Sequence, residues 1–304
     1  MWRRQQPRNA TMPVWLTLLV FILEAAMAET AENCNPIDNA LFEHVRDLYG
    51  YDRALPLQAK TQFHWPYRNP YITEKVNYRS THEQWVPGYF VYPKEGQGPW
   101  PAVVLVHGAN GPWGKNEDLV LEKIDVLVRE GYCVLAIDNY RFGERMPREA
   151  ENLWNVGPYS RRDSMIQSVT DQRRGIDYLF SRDEVDKNLI FLVGGSLGAY
   201  LGTLIAALDD RLSAAVLIVN RAREGGTRDP LGRSIHPLNF APRVQCPTLM
   251  INATRDELAT KDSVEELYAF LPDPKKLAWV ESEHVVSPQI AKELILSWFG
   301  EHRK

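Results

Sequence analysis

Leu192-Val193-Gly194-Gly195-Ser196-Leu197-Gly198-Ala199 is the stretch on which the fold of this chain turns. The apolar run Leu189 to Val193 reads as a buried strand, and the residues from Leu197 onward read as the first turn of a helix. Between them the G-x-S-x-G spacing fits a sharp strand-to-helix turn. Glycine on either side lets neighbouring backbone pass without a Cβ, and the turn lifts the serine hydroxyl above the strand ends. The Leu197 N–H then lies at a helix N-terminus, where developing negative charge is stabilised. Ser196 is therefore a candidate nucleophile and Leu197 a candidate oxyanion donor.

Working outward, short apolar runs rich in branched residues recur at Ala102 to Val106, Cys133 to Ile137, Ala214 to Val219 and Thr248 to Ile251, with a weaker one at Leu277 to Val280. Segments of helical period separate them, at Leu119 to Arg129, Met165 to Phe180, Val264 to Leu271 and Gln289 to Phe299. Continuous apolar strands alternating with helices predict a doubly wound, mostly parallel sheet covered on both faces. Upstream, Tyr71 to Arg79 and Trp85 to Tyr92 read as an antiparallel hairpin at a sheet edge. Residues 29–70, with a helix around Asp38 to Tyr49, read as an N-terminal extension, and 71–304 as the main domain.

A serine hydroxyl becomes nucleophilic beside a base that is itself oriented by a carboxylate. Asp256 follows the strand ending in Ile251 and lies 60 residues after Ser196; Glu257 is its neighbour and rival. His284 follows the strand ending at Val280, another 28 residues on, and no other histidine holds a strand-end position near it. The second oxyanion donor belongs after Val106, where His107-Gly108-Ala109-Asn110-Gly111 offers the Ala109 N–H, with His107 in a structural role below. Two long connections, 139–164 and 220–245, leave the C-terminal ends of predicted strands and are candidate pocket walls. Asn110, Trp113 and Tyr140 are candidate substrate contacts. Phe142, Trp154 and Tyr159 could line an aromatic pocket, and Arg141, Arg145, Arg161 and Arg162 could bind an acidic group or be solvated loop charges.

The net charge of −4 carries no basic stripe, which removes the electrostatic case for nucleic acid. Arg3, Arg4 and Arg8 precede the apolar run Val14 to Leu23, and Ala26-Met27-Ala28 ends it with small residues. That order predicts an export signal over residues 1–28 and a periplasmic or secreted product without a stable membrane span. Three cysteines (Cys34, Cys133 and Cys246) form no disulfide framework, and no ligand spacing points to a metal. The oligomeric state is not readable.

From about Tyr71 onward the chain resembles the α/β-hydrolase superfamily, in its dienelactone-hydrolase-like and acetyl-xylan-esterase-like branch. The segments carrying the resemblance are H-G-A-N-G (107–111), G-G-S-L-G (194–198), T-R-D-E-L (254–258) and S-E-H (282–284). Asp171 to Asp186 is similar to the helix that precedes the elbow there. Asp138-Asn139-Tyr140-Arg141-Phe142-Gly143 is similar to a loop that commonly reads D-x-R-G-x-G, with one of its glycines absent. Dienelactone hydrolases proper carry Cys where Ser196 stands. The resemblance implies an α/β-hydrolase fold with loop insertions forming a small cap, and a serine esterase without cofactor acting on a small-molecule or carbohydrate-linked ester. A serine peptidase of prolyl-oligopeptidase type and an inactive binding protein of the same fold are the alternatives.

Overall fold

A computed structural model describes residues 35–62, 70–147, 153, 156–222 and 227–303. The expected export signal, Cys34 and Trp154 lie outside the described residues. Among those residues nine strands form one sheet: β1 (Lys60–Gln62), β2 (Tyr71–Arg79), β3 (Trp85–Pro93), β4 (Trp100–Val106), β5 (Cys133–Ile137), β6 (Val185–Gly195), β7 (Ala214–Ile218), β8 (Thr248–Ala253) and β9 (Lys275–Val280). The helices are α1 (Asn39–Asp47), α2 (Asp118–Arg129), α3 (Pro158–Phe180), α4 (Leu197–Leu208), α5 (Pro237–Phe240), α6 (Lys261–Phe270) and α7 (Pro288–Glu301).

The strand order is β1-β2-β3-β5-β4-β6-β7-β8-β9. Strands β1 to β3 form an antiparallel edge joined to β5, and β5-β4-β6-β7-β8-β9 run parallel. Each strand from β4 to β8 is almost wholly buried along its apolar run, as a sheet covered on both faces requires. Alternate residues serve opposite faces. Ala102, Val104 and Val106 join a core that includes residues of α1, α3 and α4, whereas Val103 and Leu105 join one with residues of α2 and α7.

The connection from β4 leads through α2 to β5 on one side; the chain then returns through α3 to place β6 on the other side of β4. That reversal of winding opens a crevice at the C-terminal ends of β4 and β6, the position at which open α/β sheets hold ligands.

The N-terminal extension joins the sheet as well as packing on it. β1 pairs with β2, Lys60 opposite Asn77, so the sheet begins before residue 71. Lys60–Gln62 is exposed along its length and is held by backbone pairing, which is why no apolar alternation marked it. Ile37, Phe42, Val45 and Tyr49 are core residues, and the Phe42 and Tyr49 rings meet Phe240 edge-on at 5.2 and 5.6 Å. The Tyr49 hydroxyl donates to the Ser234 carbonyl at 2.6 Å, and the Ile37 N–H to Asn239 Oδ1 at 3.0 Å. The extension thus clasps the part of the second connection around α5.

Candidate active site

The elbow is built by glycines at two contacts. A Cβ on Gly194 would stand 2.2 Å from the Gly198 carbonyl oxygen, and one on Gly198 would stand 2.1 Å from that of Val106. Neither position admits a side chain without moving backbone. Gly195, by contrast, has room. Between them Ser196 takes φ +54°, a left-handed conformation that costs a non-glycine residue on the order of 1–3 kcal/mol. The sheet holds it there: the Ser196 N–H donates to the Ile218 carbonyl at 2.9 Å, and its own carbonyl accepts from Ala199 and Tyr200 in the first turn of α4. Val219, next to Ile218, is also left-handed at φ +51° and is pinned by donation to the Ile251 carbonyl at 2.8 Å. A β-branched residue there is an outlier that no sequence pattern announces.

Ser196 Oγ lies 2.9 Å from His284 Nε2. On the far side of the ring, His284 Nδ1 lies 2.8 and 3.0 Å from the two Asp256 oxygens. A carboxylate only accepts, so Nδ1 carries the proton and Nε2 is left to accept from the serine. The Asp256 side chain is fully buried and also accepts from the Leu258 and Ala259 N–H groups at 2.8 and 3.0 Å, which fixes it from two directions. Glu257, its rival, is exposed. The β8–β9 ladder continues past the strand ends, with Thr254 donating to the Val280 carbonyl at 2.9 Å and Arg255 to that of Ser282 at 3.0 Å. An Arg255–Glu281 ion pair and a Thr254–Glu281 hydrogen bond add to that seam. These stapling residues were not anticipated from the sequence.

Gly108 passes against the elbow: its Cβ would lie 3.4 Å from the Gly195 carbonyl oxygen and 3.7 Å from Ser196 Cβ. Among the described residues neither the Ala109 nor the Leu197 N–H has a hydrogen-bond partner. Both line the cavity beside Ser196, as two oxyanion donors would. His107 props the loop from below. Its Nε2 accepts from the Asn139 N–H at 3.0 Å, so its Nδ1 donates to the Gly108 carbonyl at 2.7 Å. Burial holds its pKa below the ordinary histidine value, in keeping with a neutral ring.

The cavity has a volume of about 530 Å³. Its walls are the segment after β4, including Glu117, Leu119, Val120 and Lys123, together with Met165, Tyr200, Leu258, Val285 and Val286. Among the described residues of the two long connections expected to wall it, 220–245 supplies Asn220 and Arg221, and 139–164 supplies none.

The three expected substrate contacts fare differently. Asn110 borders the cavity, but its amide is fully used within the loop: Nδ2 donates to the Gly114 carbonyl and to Glu117, both at 2.8 Å, and Oδ1 accepts from the Gly114 N–H at 2.9 Å. It braces the loop after β4. Trp113 is 62% exposed and lies outside the cavity lining. Tyr140 lies over a separate polar depression with His82 and Arg141, and Arg145 stacks on its ring at 5.0 Å. Both are diverted because the loop after β5 wraps around Asp138 instead of leaning over the serine. Asp138 accepts from the Lys115 and Glu144 N–H groups and from the Lys115 ammonium at 2.7 Å, with Gly114 and Gly143 both left-handed against its carboxylate. Arg141 adopts φ +69° in the same loop, taking up in strain what a glycine would have given freely. Phe142 packs edge-on to His107, Arg145 pairs with the buried Asp171, Arg141 donates to Ser164, and Arg162 pairs with Asp163. Tyr159 is 64% exposed. Among the described residues no three His, Cys, Asp or Glu side chains converge as a metal would require, and no helix is long and apolar enough to cross a membrane.

Comparisons with known proteins concern the fold and the family. YtaP of Bacillus subtilis (strain 168) is 31% identical over 144 residues, which cover 44% of this chain and 48% of YtaP. The chain therefore spans about half the length of that relative. In structure, the acetyl xylan esterase from Paenibacillus sp. R4 superposes with a TM-score of 0.70 at 23% identity, covering 88% of this chain and 95% of its own. Acetyl xylan esterase 1 from Thermoanaerobacterium sp. JW/SL YS485 gives 0.71 at 15% identity, covering 89% and 96%. At such identities the likeness speaks for the α/β-hydrolase fold. The family model for dienelactone hydrolases matches residues 86–281, from the start of β3 to the end of β9, and with that match over most of the chain the protein belongs to the dienelactone hydrolase family.

Proposed function

We propose that this hydrolase cleaves a carboxylic ester through a serine acyl-enzyme. His284 Nε2 takes the proton from Ser196 Oγ as the oxygen attacks the ester carbonyl carbon. The carbonyl oxygen, now negative, settles between the Leu197 and Ala109 N–H groups. Protonated His284, steadied by Asp256, gives its proton to the departing alcohol. Water then repeats the sequence at the acyl-serine, releasing the acid and restoring the hydroxyl. The observation that carries this reading is the unbroken line of hydrogen bonds from Asp256 through His284 to Ser196, ending at a cavity with two unpaired N–H groups. The names of the structural neighbours point to acetyl esters of xylan; for this chain the corresponding candidate is a small-molecule or carbohydrate-linked ester.

The decisive comparison is hydrolysis of 4-nitrophenyl acetate by the wild type and by Ser196→Ala. Loss of the nucleophile is expected to lower turnover by about 10⁴-fold or more, with the circular dichroism spectrum unchanged. A fluorophosphonate should label the wild type at Ser196 and leave the variant unlabelled. Undiminished turnover in Ser196→Ala overturns the assignment.

A further inference from the structure

Two apolar side chains stand open to water beside His284 and Asp256. Leu258 is 59% exposed and Val285 64%, and both line the catalytic cavity, so they form part of its mouth. A lone exposed aliphatic residue is ordinary on a protein surface. Position sets these two apart. The Leu258 N–H donates to Asp256 Oδ1 at 2.8 Å, and Val285 directly follows His284, with its carbonyl accepting from Ser282 Oγ at 2.9 Å. Val286 also lines the cavity but is buried, so the apolar wall continues inward from the mouth.

Among the described residues, the polar side chains of the wall are largely engaged within the protein. Asn110 is fully used in its own loop, and Asn220 Nδ2 donates to Thr203 at 2.9 Å. The Tyr200 hydroxyl donates to the Ile235 carbonyl, which leaves its ring to the cavity. Arg221 donates to the Ala222 carbonyl at 3.3 Å. Glu117 accepts from Asn110 and faces Lys123, so their opposite charges answer each other where the loop enters α2. A sugar carries several hydroxyls, and each needs a partner once water is displaced. An alkyl group needs none.

The direction of the ester follows from the proton. His284 Nε2 gives its proton to the departing alcohol oxygen, which must come within about 3 Å of it. The alcohol portion therefore begins at His284 and meets the side chains that border His284 and Asp256. We propose that the cavity selects esters of apolar alcohols, with Leu258 and Val285 covering the alkyl group as specificity-determining residues. This rests on the ester-hydrolase reading above and, within it, sets alkyl esters ahead of sugar-linked ones.

The test holds the acyl group fixed and varies the alcohol, with kcat/KM measured by pH-stat. The substrates are hexyl acetate, diethylene glycol monoacetate and a methyl xyloside monoacetate. The glycol chain matches hexyl in length, and its ether oxygen makes it the better leaving group, so intrinsic reactivity works against the expected order. Hexyl acetate should exceed the other two by about 10- to 100-fold, as methylenes leave water. Leu258→Asn and Val285→Thr nearly conserve shape at exposed positions; combined, they should lower the hexyl-to-glycol ratio about tenfold. The ratio of ethyl hexanoate to ethyl acetate, which reads the acyl side, should move by less than about twofold. Equal rates on hexyl and glycol acetates in the wild type, or faster cleavage of the xyloside, overturn the proposal and leave the hydrolase reading standing. A hexyl preference that survives in a double variant still labelled by fluorophosphonate overturns the roles of Leu258 and Val285, as does a shift confined to the acyl side. Hydrolysis of no ester, with no fluorophosphonate label on Ser196, removes the hydrolase reading and this proposal together.

Discussion

The connections after β4 and after β7 both leave the C-terminal end of a parallel strand, yet they face opposite ways in function. The first, from His107 into α2, folds by its own short bonds through Asn110 and Gly114, and its N–H groups and side chains line the cavity. The second buries Ile235, Leu238, Phe240, Ala241 and Val244 in the core beside Ile37, Phe42, Val45 and Tyr49. Among its described residues, the first two reach the cavity. Strand-end position thus nominates a loop for function; the destination of its apolar side chains decides whether it takes the role. A connection that supplies core residues is a fastener, and one that satisfies itself internally is free to shape a site.

Four variants can break that distinction. The largest effect is expected from Gly198→Ala, whose Cβ would press on the Val106 and His107 carbonyl oxygens and wedge the oxyanion loop away from the elbow. Turnover on 4-nitrophenyl acetate should drop by about 10²–10³-fold, the scale of losing one oxyanion donor, and activity within threefold of wild type would mean the two N–H groups do not act together. Next is Phe240→Ala in the second connection. Emptying that ring's place between Phe42 and Tyr49 should cost about 3–5 kcal/mol in urea unfolding, with kcat/KM at 25 °C within about threefold of wild type. A large kinetic defect in a variant still fully folded would make this connection part of the site after all. Smallest of all, Trp113→Ala and Tyr140→Phe should each stay within about twofold in kcat/KM and about 0.5 kcal/mol in stability, as surface substitutions do. A tenfold rise in KM for either would place it in substrate binding.

What the sequence allowed to be read follows from how local each feature is. The elbow is announced by a handful of contiguous residues, so glycine spacing around Ser196 sufficed even though Ile218 and Val106 hold it in place. Asp256 and His284 were legible because chain order and strand ends locate them even though they lie 60 and 88 residues from the serine. The placements of Trp113 and Tyr140 were not, since they depend on Asp138 gathering two separate loops around one buried carboxylate. The short strand β1 was silent because backbone pairing leaves no trace in side-chain pattern. Lys123 did leave a signal, a charge three residues after Val120 on an apolar stripe, but only the fold says that the stripe ends at the cavity. The left-handed Val219 left none, and its sequence argues against it.

The seam that runs on from β8–β9 changes how the proposed triad should be counted. Backbone bonds from Thr254 and Arg255 tie the Asp256 loop to the His284 loop, so Asp256 and His284 form a single jointed piece facing Ser196. Alignment for attack is then a matter of two bodies, the elbow and this double loop, and one relative displacement. Errors in register that would accumulate over three independent loops have only one joint at which to enter.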